Sequence, residues 1–168
     1  MGILRDQATA LPPDLSRVYE QNLQYIWRLL SRFGVPSRDR EDVAHDTFVV
    51  VHRKLGDFDP SRPLRPWLAG ITFRVAAAYK RRKMQGEIPS ELPELSHPAQ
   101  DTTEIREQAL KLLAQLPFER RVVFVLHELE ELTAPEIAEA LSVPLNTVYS
   151  RLRLARRDLR TLTAKEDA

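Results

Sequence analysis

Residues 133–159 read TAPEIAEALSVPLNTVYSRLRLARRDL, and their spacing describes two helices around a three-residue corner. Thr133 and Glu136 have the separation of a capping box, and Pro135 suits a first helical turn. Ile137, Ala138 and Leu141 recur at helical spacing and give the first helix an apolar face. Ser142, Val143 and Pro144 end it, because a residue that precedes proline is pushed out of the helical region. Val148, Leu152, Ala155 and Leu159 then form the apolar stripe of the second helix. This leaves Asn146, Thr147, Tyr149, Ser150, Arg153, Arg156 and Arg157 facing outward. A short capped helix, a tight turn and a polar-basic second helix are the parts of a helix-turn-helix that reads a DNA major groove. Arg151 has a second reading, as a support paired with the acids of residues 128–139, whereas Arg153 is better placed for a base edge or a phosphate.

Composition bounds what surrounds this motif. The chain has 168 residues, 43% of them hydrophobic and 29% charged, proportions of globular rather than disordered proteins. No apolar run reaches membrane-spanning length, and residues 1–6 lack a signal-peptide pattern, so the cytoplasm is the expected location. The absence of cysteine removes disulfides, thiolate metal sites and a cysteine nucleophile. His45, His52, His97 and His127 are scattered, and neither a metal nor another cofactor is expected.

The net charge of +1 conceals strong segregation. Tyr79 is followed by Lys80, Arg81, Arg82 and Lys83, and residues 151–160 hold five arginines against one aspartate. Residues 85–108 carry six acids and only Arg106, and residues 128–139 add five acids and no base. Local fields govern association with a polyanion, so two basic regions can contact DNA despite the near-neutral total.

Working toward the amino terminus, the fold class reads as all-α, with two small helical domains on a tether. Residues 15–33 carry Leu15, Val18, Tyr19, Leu23, Ile26, Leu30 and Phe33 at helical spacing, and Gly34 breaks the run. Ser37 is placed to cap a helix over 38–55, with Val43, Thr47, Val50, Val51 and Leu55 inward. A proline-rich loop over 56–66 contains Phe58, and a third helix starts near Pro66 or Trp67 and stops at 84–86. Residues 87–102 are acidic, contain three prolines and no aromatic residue, and read as a linker. Asp101, Thr102 or Thr103 caps a helix to about Leu116, and residues 119–131 form another beneath the helix-turn-helix. The expected domains are 11–86 and 103–163.

Two further motifs carry chemistry. In EDVAHDTF, residues 41–48, Asp42, Asp46 and Val49 share one side of a helix. A solvated helix face is the commoner meaning of such a pair, and protein contact is the sharper one. In the loop and basic helix over 57–83, Phe58, Arg62, Arg65 and Trp67 suit a pocket for an unstacked base, with Arg74, Lys80, Arg81, Arg82 and Lys83 on phosphates. Phe58 and Trp67 read more readily as core or loop anchors. The basic block is too dense for an ordinary helix end.

In order and spacing, EDVAHDTF (41–48), Phe58 to Trp67-Leu68, LPFERRVVFVL (116–126), EIAEAL (136–141) and TVYSRL (147–152) together resemble an extracytoplasmic-function (ECF) sigma factor of the sigma-70 family. The resemblance covers residues 15–162. It implies a non-catalytic initiation factor with sigma domains two and four. Asp42, Asp46 and Val49 would dock on core RNA polymerase. Phe58, Arg62 and Arg65 would surround a base flipped from the minus-ten element, with Arg74, Lys80, Arg81, Arg82 and Lys83 on the melted strand and adjoining duplex. Asn146, Thr147, Tyr149, Ser150, Arg153 and Arg156 would contact the minus-thirty-five element. Promoter DNA and an anti-sigma factor are the other implied partners, without membrane insertion. His45 and Asp46 depart from the usual glutamine and glutamate but keep the docking chemistry. Arg74, Asn146, Tyr149 and Leu154 also depart from the family pattern and bear on which DNA sequences are read. The competing classes are a stand-alone DNA-binding regulator, which leaves Asp42 and Asp46 without a role, and a metal-dependent nuclease, which lacks a ligand set.

Overall fold

The computed structural model describes residues 14–86 and 104–166, all helix and connecting turn, with no strand among them. The linker expected at 87–102, and the candidate caps Asp101, Thr102 and Thr103, lie outside the described residues. In the first half, α1 (Leu15–Arg32), α2 (Ser37–Lys54) and α3 (Leu64–Met84) pack on one another. In the second, α4 (Glu104–Gln115), α5 (Phe118–Phe124), α6 (Ala134–Leu141) and α7 (Leu145–Glu166) do the same.

The inward stripes of α1 and α2 form around Val18, Ile26, Leu30, Phe33, Val43 and Val51 as expected, but Tyr19, read into the α1 stripe, stays exposed on the surface. Two boundaries move for local reasons. Ser37 does not cap α2; it is the first helical residue behind Pro36, and no side chain bonds the free end. Helix α3 starts at Leu64, earlier than expected, because Pro63 is extended at the cap. Pro66 then falls in the first turn, where the missing N–H has no intrahelical partner to lose. Tyr79, which heads the basic block in sequence, is buried instead, and its hydroxyl donates to Asp39 Oδ2.

The helix expected over 119–131 is not continuous. After α5 the chain widens into a π turn over Val125–Leu129, with Glu130 N–H donating to Val125 O at 3.0 Å. Glu131 then takes a left-handed conformation at φ 57°. This displacement aims Glu130 away from its own half of the chain. A π turn inside a helix commonly marks such a functional departure.

Residues 133–159 fold as their spacing dictates. Thr133 and Glu136 close a reciprocal capping box. Ser142 occupies the left-handed position at the end of α6, with Val143 N–H on Ala138 O and Ser142 N–H on Glu139 O. That pattern is a Schellman end, which favours glycine at the position held by Ser142. Ser142→Gly is therefore expected to raise stability by about 0.5–1 kcal/mol, because relief of the left-handed Cβ strain outweighs one lost side-chain hydrogen bond. A higher urea midpoint with unchanged slope checks it.

The two halves share a core rather than merely a tether. Phe118 of α5 stacks on Phe73 of α3 at 5.9 Å and meets Phe33 edge-on at 6.4 Å. Arg121, 6% exposed, donates to Phe33 O at 3.1 Å, Leu116 O at 3.0 Å and Ala114 O at 2.6 Å. Gly34 makes room for that guanidinium, since a Cβ there would stand 2.2 Å from Arg121 Nη1. Glu130 receives a two-pronged bond from Arg28, at 3.1 and 3.0 Å, and a further one from Arg32. Burial first, and the Glu130 charge second, hold the neighbouring Tyr25 hydroxyl far above the usual phenol range.

Candidate nucleic-acid interface

Three surfaces follow from this frame. On α7, Val148, Leu152 and Ala155 are fully or nearly buried, and this fixes the rotation of the helix. Asn146, Tyr149, Ser150, Arg153 and Arg156 consequently stand exposed, and Thr147 is half-buried beside them. Tyr149 keeps 52% of its surface, an unusual exposure for a large ring and a ready contact for a groove wall. The polar-basic face read from sequence is thus assembled on one side of one helix.

The arginines of α7 divide by partner. Arg153 is exposed at the centre of the face. Arg156 bonds Glu128 through Nε at 2.9 Å, and the hydrogen bond from Arg156 holds the Glu128 carboxyl below its usual range. Arg156 therefore begins with a carboxylate that DNA would have to replace. Arg151 does act as a support, as its second reading proposed, but its partner is Glu119 at 2.6 Å and not an acid of 128–139. Arg120 makes a parallel link from α5 to Asp158 of α7 at 2.6 Å.

The second surface centres on the loop between α2 and α3. Lys54, Asp57, Phe58, Arg62, Pro63, Trp67, Ile71 and Arg74 line a cavity of about 570 Å³, closed on its far side by Glu136, Glu139 and Ala140 of α6. Phe58 is 8% exposed and packs on Trp67 at 4.8 Å, so both act as anchors of the loop. Phe58 and Trp67 therefore take the places of loop anchors, the reading their sequence favoured over a base platform. Arg65 does not join the cavity; its guanidinium lies 5.3 Å over the Tyr25 ring. Arg62 pairs with Glu139, and Arg74 donates to Ala140 O and Ser142 Oγ, each at 3.1 Å.

The basic end of α3 is similarly sorted. Lys80 sits 4.5 Å over the Phe118 ring, and burial first, then the nearby Arg121 charge, push its ammonium below the usual value. Lys83 lies against Tyr79 at 3.5 Å. Arg81 and Arg82 are exposed, and Arg82 approaches Asp46 of α2 at 3.7 Å. Of the predicted phosphate contacts, Lys80 is thus committed to the second half, whereas Arg81 and Arg82 remain at the surface.

On the third surface, Asp42 and Asp46 project from α2 with Val49 half-buried beside them, as the spacing implied. Sequence reading missed the adjoining groove of about 440 Å³, lined by Tyr19, Leu23, Trp27, Ala44, His45 and Phe48. Tyr19 and Phe48 meet at 4.6 Å across it. The four-residue separation of Ala44 and Phe48 was the available signal, hidden because Phe48 read as part of a carboxylate motif. No helix among the described residues is long and apolar enough to cross a membrane.

A capped helix-turn-helix with a polar-basic outer face, joined to a second helical unit bearing a basic helix end and an exposed carboxylate pair, defines a two-part DNA-reading protein. The sequence matches Sigma-70 region 2 over residues 18–85 and Sigma-70 region 4 over residues 106–159. The RNA polymerase sigma factor CnrH of Cupriavidus metallidurans is 30% identical over 146 residues, covering 77% of this chain and 76% of that protein. The ECF RNA polymerase sigma factor SigE of Mycolicibacterium smegmatis is 31% identical over 174 residues, which span 97% of this chain but only 66% of the longer relative. A solved structure of CnrH in complex with the cytosolic domain of CnrY has a TM-score of 0.67 and 27% identity, over 90% of this chain and 88% of that one. The chain belongs to the sigma-70 family of RNA polymerase sigma factors, among its ECF members.

Proposed function

We propose that the chain directs core RNA polymerase to promoters through three divided tasks. Asp42, Asp46 and Val49 dock on the polymerase. Arg62, Arg74, Arg81, Arg82 and Lys83 hold the minus-ten strand and its flanking duplex. Asn146, Thr147, Tyr149, Ser150, Arg153 and Arg156 contact the minus-thirty-five element. The polymerase performs the chemistry, and this chain supplies position. It acts in the cytoplasm, with an anti-sigma factor as the proposed regulatory partner; the similar CnrH has been solved bound to the cytosolic domain of CnrY, which supports that partner.

The observation that carries the reading is the fixed rotation of α7. Burial of Val148, Leu152 and Ala155 leaves six consecutive-turn polar positions, Asn146 to Arg156, on the free side. Each DNA contact is modest alone, and holding two readers on one polymerase raises the effective concentration of the second once the first has bound. A gel-shift assay with and without core polymerase tests the division of labour. The expected result is sequence-specific binding only with polymerase present; tight specific binding by the isolated chain would assign it to stand-alone regulators instead.

A further inference from the structure

Two arginines of α7 are held by carboxylates from other elements of the second half, and they lie on different sides of the helix. Arg151 is 20% exposed, and its partner Glu119 comes from α5, so this pair braces the two helices. Arg156 stands on the outer face, 48% exposed, and its partner Glu128 comes from the π turn. Its Nε donates to Glu128 Oε1 at 2.9 Å, and its Nη2 donates to the same oxygen. Arg153, one turn earlier on that face, has no acidic partner among the described residues. Arg156 follows Asn146 by ten residues, about 15 Å along the helix axis. A recognition helix reads base edges with its first turns, and the major groove is about 12 Å wide, so a side chain that far along meets the wall of the groove and not its floor. The ligand that fits Arg156 there is a phosphate.

We infer that Glu128 is a built-in competitor for that phosphate, and that it lowers the affinity of the free chain for duplex DNA of any sequence. This rests on the minus-thirty-five assignment made above. A carboxylate and a phosphate offer a guanidinium the same charged oxygen acceptors, so one must leave before the other takes these donors. The exchange also leaves Glu128 uncompensated beside a polyanion, within the screening length of about 10 Å at 0.1 M salt. The pair is exposed at both ends, 48% and 32%, so the competition weakens binding without abolishing it. Phosphate contacts carry no sequence information, and the loss is therefore the same for every duplex. A chain diffusing free is held off bulk DNA. A chain seated on polymerase meets the upstream duplex at a raised effective concentration and tolerates the same loss.

Glu128→Gln keeps the size and one acceptor oxygen but removes the charge, at an exposed site that does not endanger folding. Anisotropy of short fluorescein-labelled duplexes of two unrelated sequences, with the full chain at low salt and without polymerase, reads the affinity. Glu128→Gln should tighten binding to both duplexes by about fivefold, with a salt slope steeper by about one phosphate contact. In an Arg156→Ala background the same substitution should change affinity by less than about twofold, because Glu128 acts through that guanidinium. Glu119→Gln, the same charge change beside Arg151, should also stay below about twofold.

Unchanged duplex binding in Glu128→Gln overturns the competition, and so does weaker binding, which would make Glu128 a brace that orients Arg156. Equal tightening with and without Arg156 overturns it too, since Glu128 would then act by its charge alone. Tightening confined to one of the two sequences would put Arg156 on a base edge and overturn the phosphate role. The underlying assignment fails differently: Arg153→Ala, at the arginine with no carboxylate to leave, would then bind duplex as tightly as wild type, and the inference would fall with it. Weaker binding by Arg153→Ala together with no gain in Glu128→Gln leaves the assignment standing and removes only the competition.

Discussion

Arg121→Met is expected to destabilise the protein by about 3 kcal/mol, with both halves losing protection together. Two effects oppose each other at this side chain. Burying a guanidinium is costly, and burial pushes the Arg121 pKa down; a methionine of similar reach would remove that penalty. Against this, the buried carbonyl oxygens of Phe33 and Leu116 and the part-buried one of Ala114 lose their donor, and each of the two buried orphans costs about 1–3 kcal/mol. The two buried acceptors outweigh one desolvated cation because these carbonyls are fixed in the backbone and cannot turn to solvent. The neighbouring Arg120 is the control. It bonds one partly exposed carboxylate, Asp158, and Arg120→Met should cost no more than about 1 kcal/mol. Urea titration followed by hydrogen exchange at Phe33 and Leu116 checks both statements; a change below about 0.5 kcal/mol for Arg121→Met would mean that water replaces the donor.

The second large effect concerns docking. Asp42→Ala combined with Asp46→Ala should weaken binding to core polymerase by about 30-fold, or about 2 kcal/mol, at low salt. The loss should shrink as salt screens the pair. Both residues are exposed, and the Asp46–Arg82 approach of 3.7 Å between half-exposed side chains stabilises little, so the helical signal and the urea midpoint should stay as in wild type. A titration of labelled polymerase reads the affinity. An unchanged dissociation constant would remove the carboxylate pair from the interface and return it to a solvated helix face.

What was legible in the sequence was local. The capping box of Thr133 and Glu136 and the stripe through Val148, Leu152 and Ala155 follow from backbone geometry over a few residues, and the structure reproduces them. The outward set on α7 follows in turn, because burial of one side fixes the other. The partners of charged residues were less legible. Arg120 and Arg121 are adjacent and identical in sequence, yet one is a surface pair and the other a buried clasp. Arg28 and Glu130 are 102 positions apart, a separation that leaves no periodic trace. Tyr79 and Lys80 looked like the start of an exposed basic run, but packing against Asp39 and Phe118 claims them. The covering of Arg62 and Arg74 by α6 has the same origin: contact between halves depends on shape at Gly70 and Ala140, which composition does not report.

The halves of the chain serve one account only if polymerase and promoter elements meet through them. Run-off transcription with purified core polymerase on a library of randomised promoters measures this directly. The account predicts transcripts that require this chain and start at a fixed distance from two enriched elements. Arg153→Ala should change the preference within the upstream element alone, and Arg74→Ala should reduce initiation without moving the upstream preference. Transcripts that ignore the chain, or enrichment of a single element unaffected by either substitution, would contradict it.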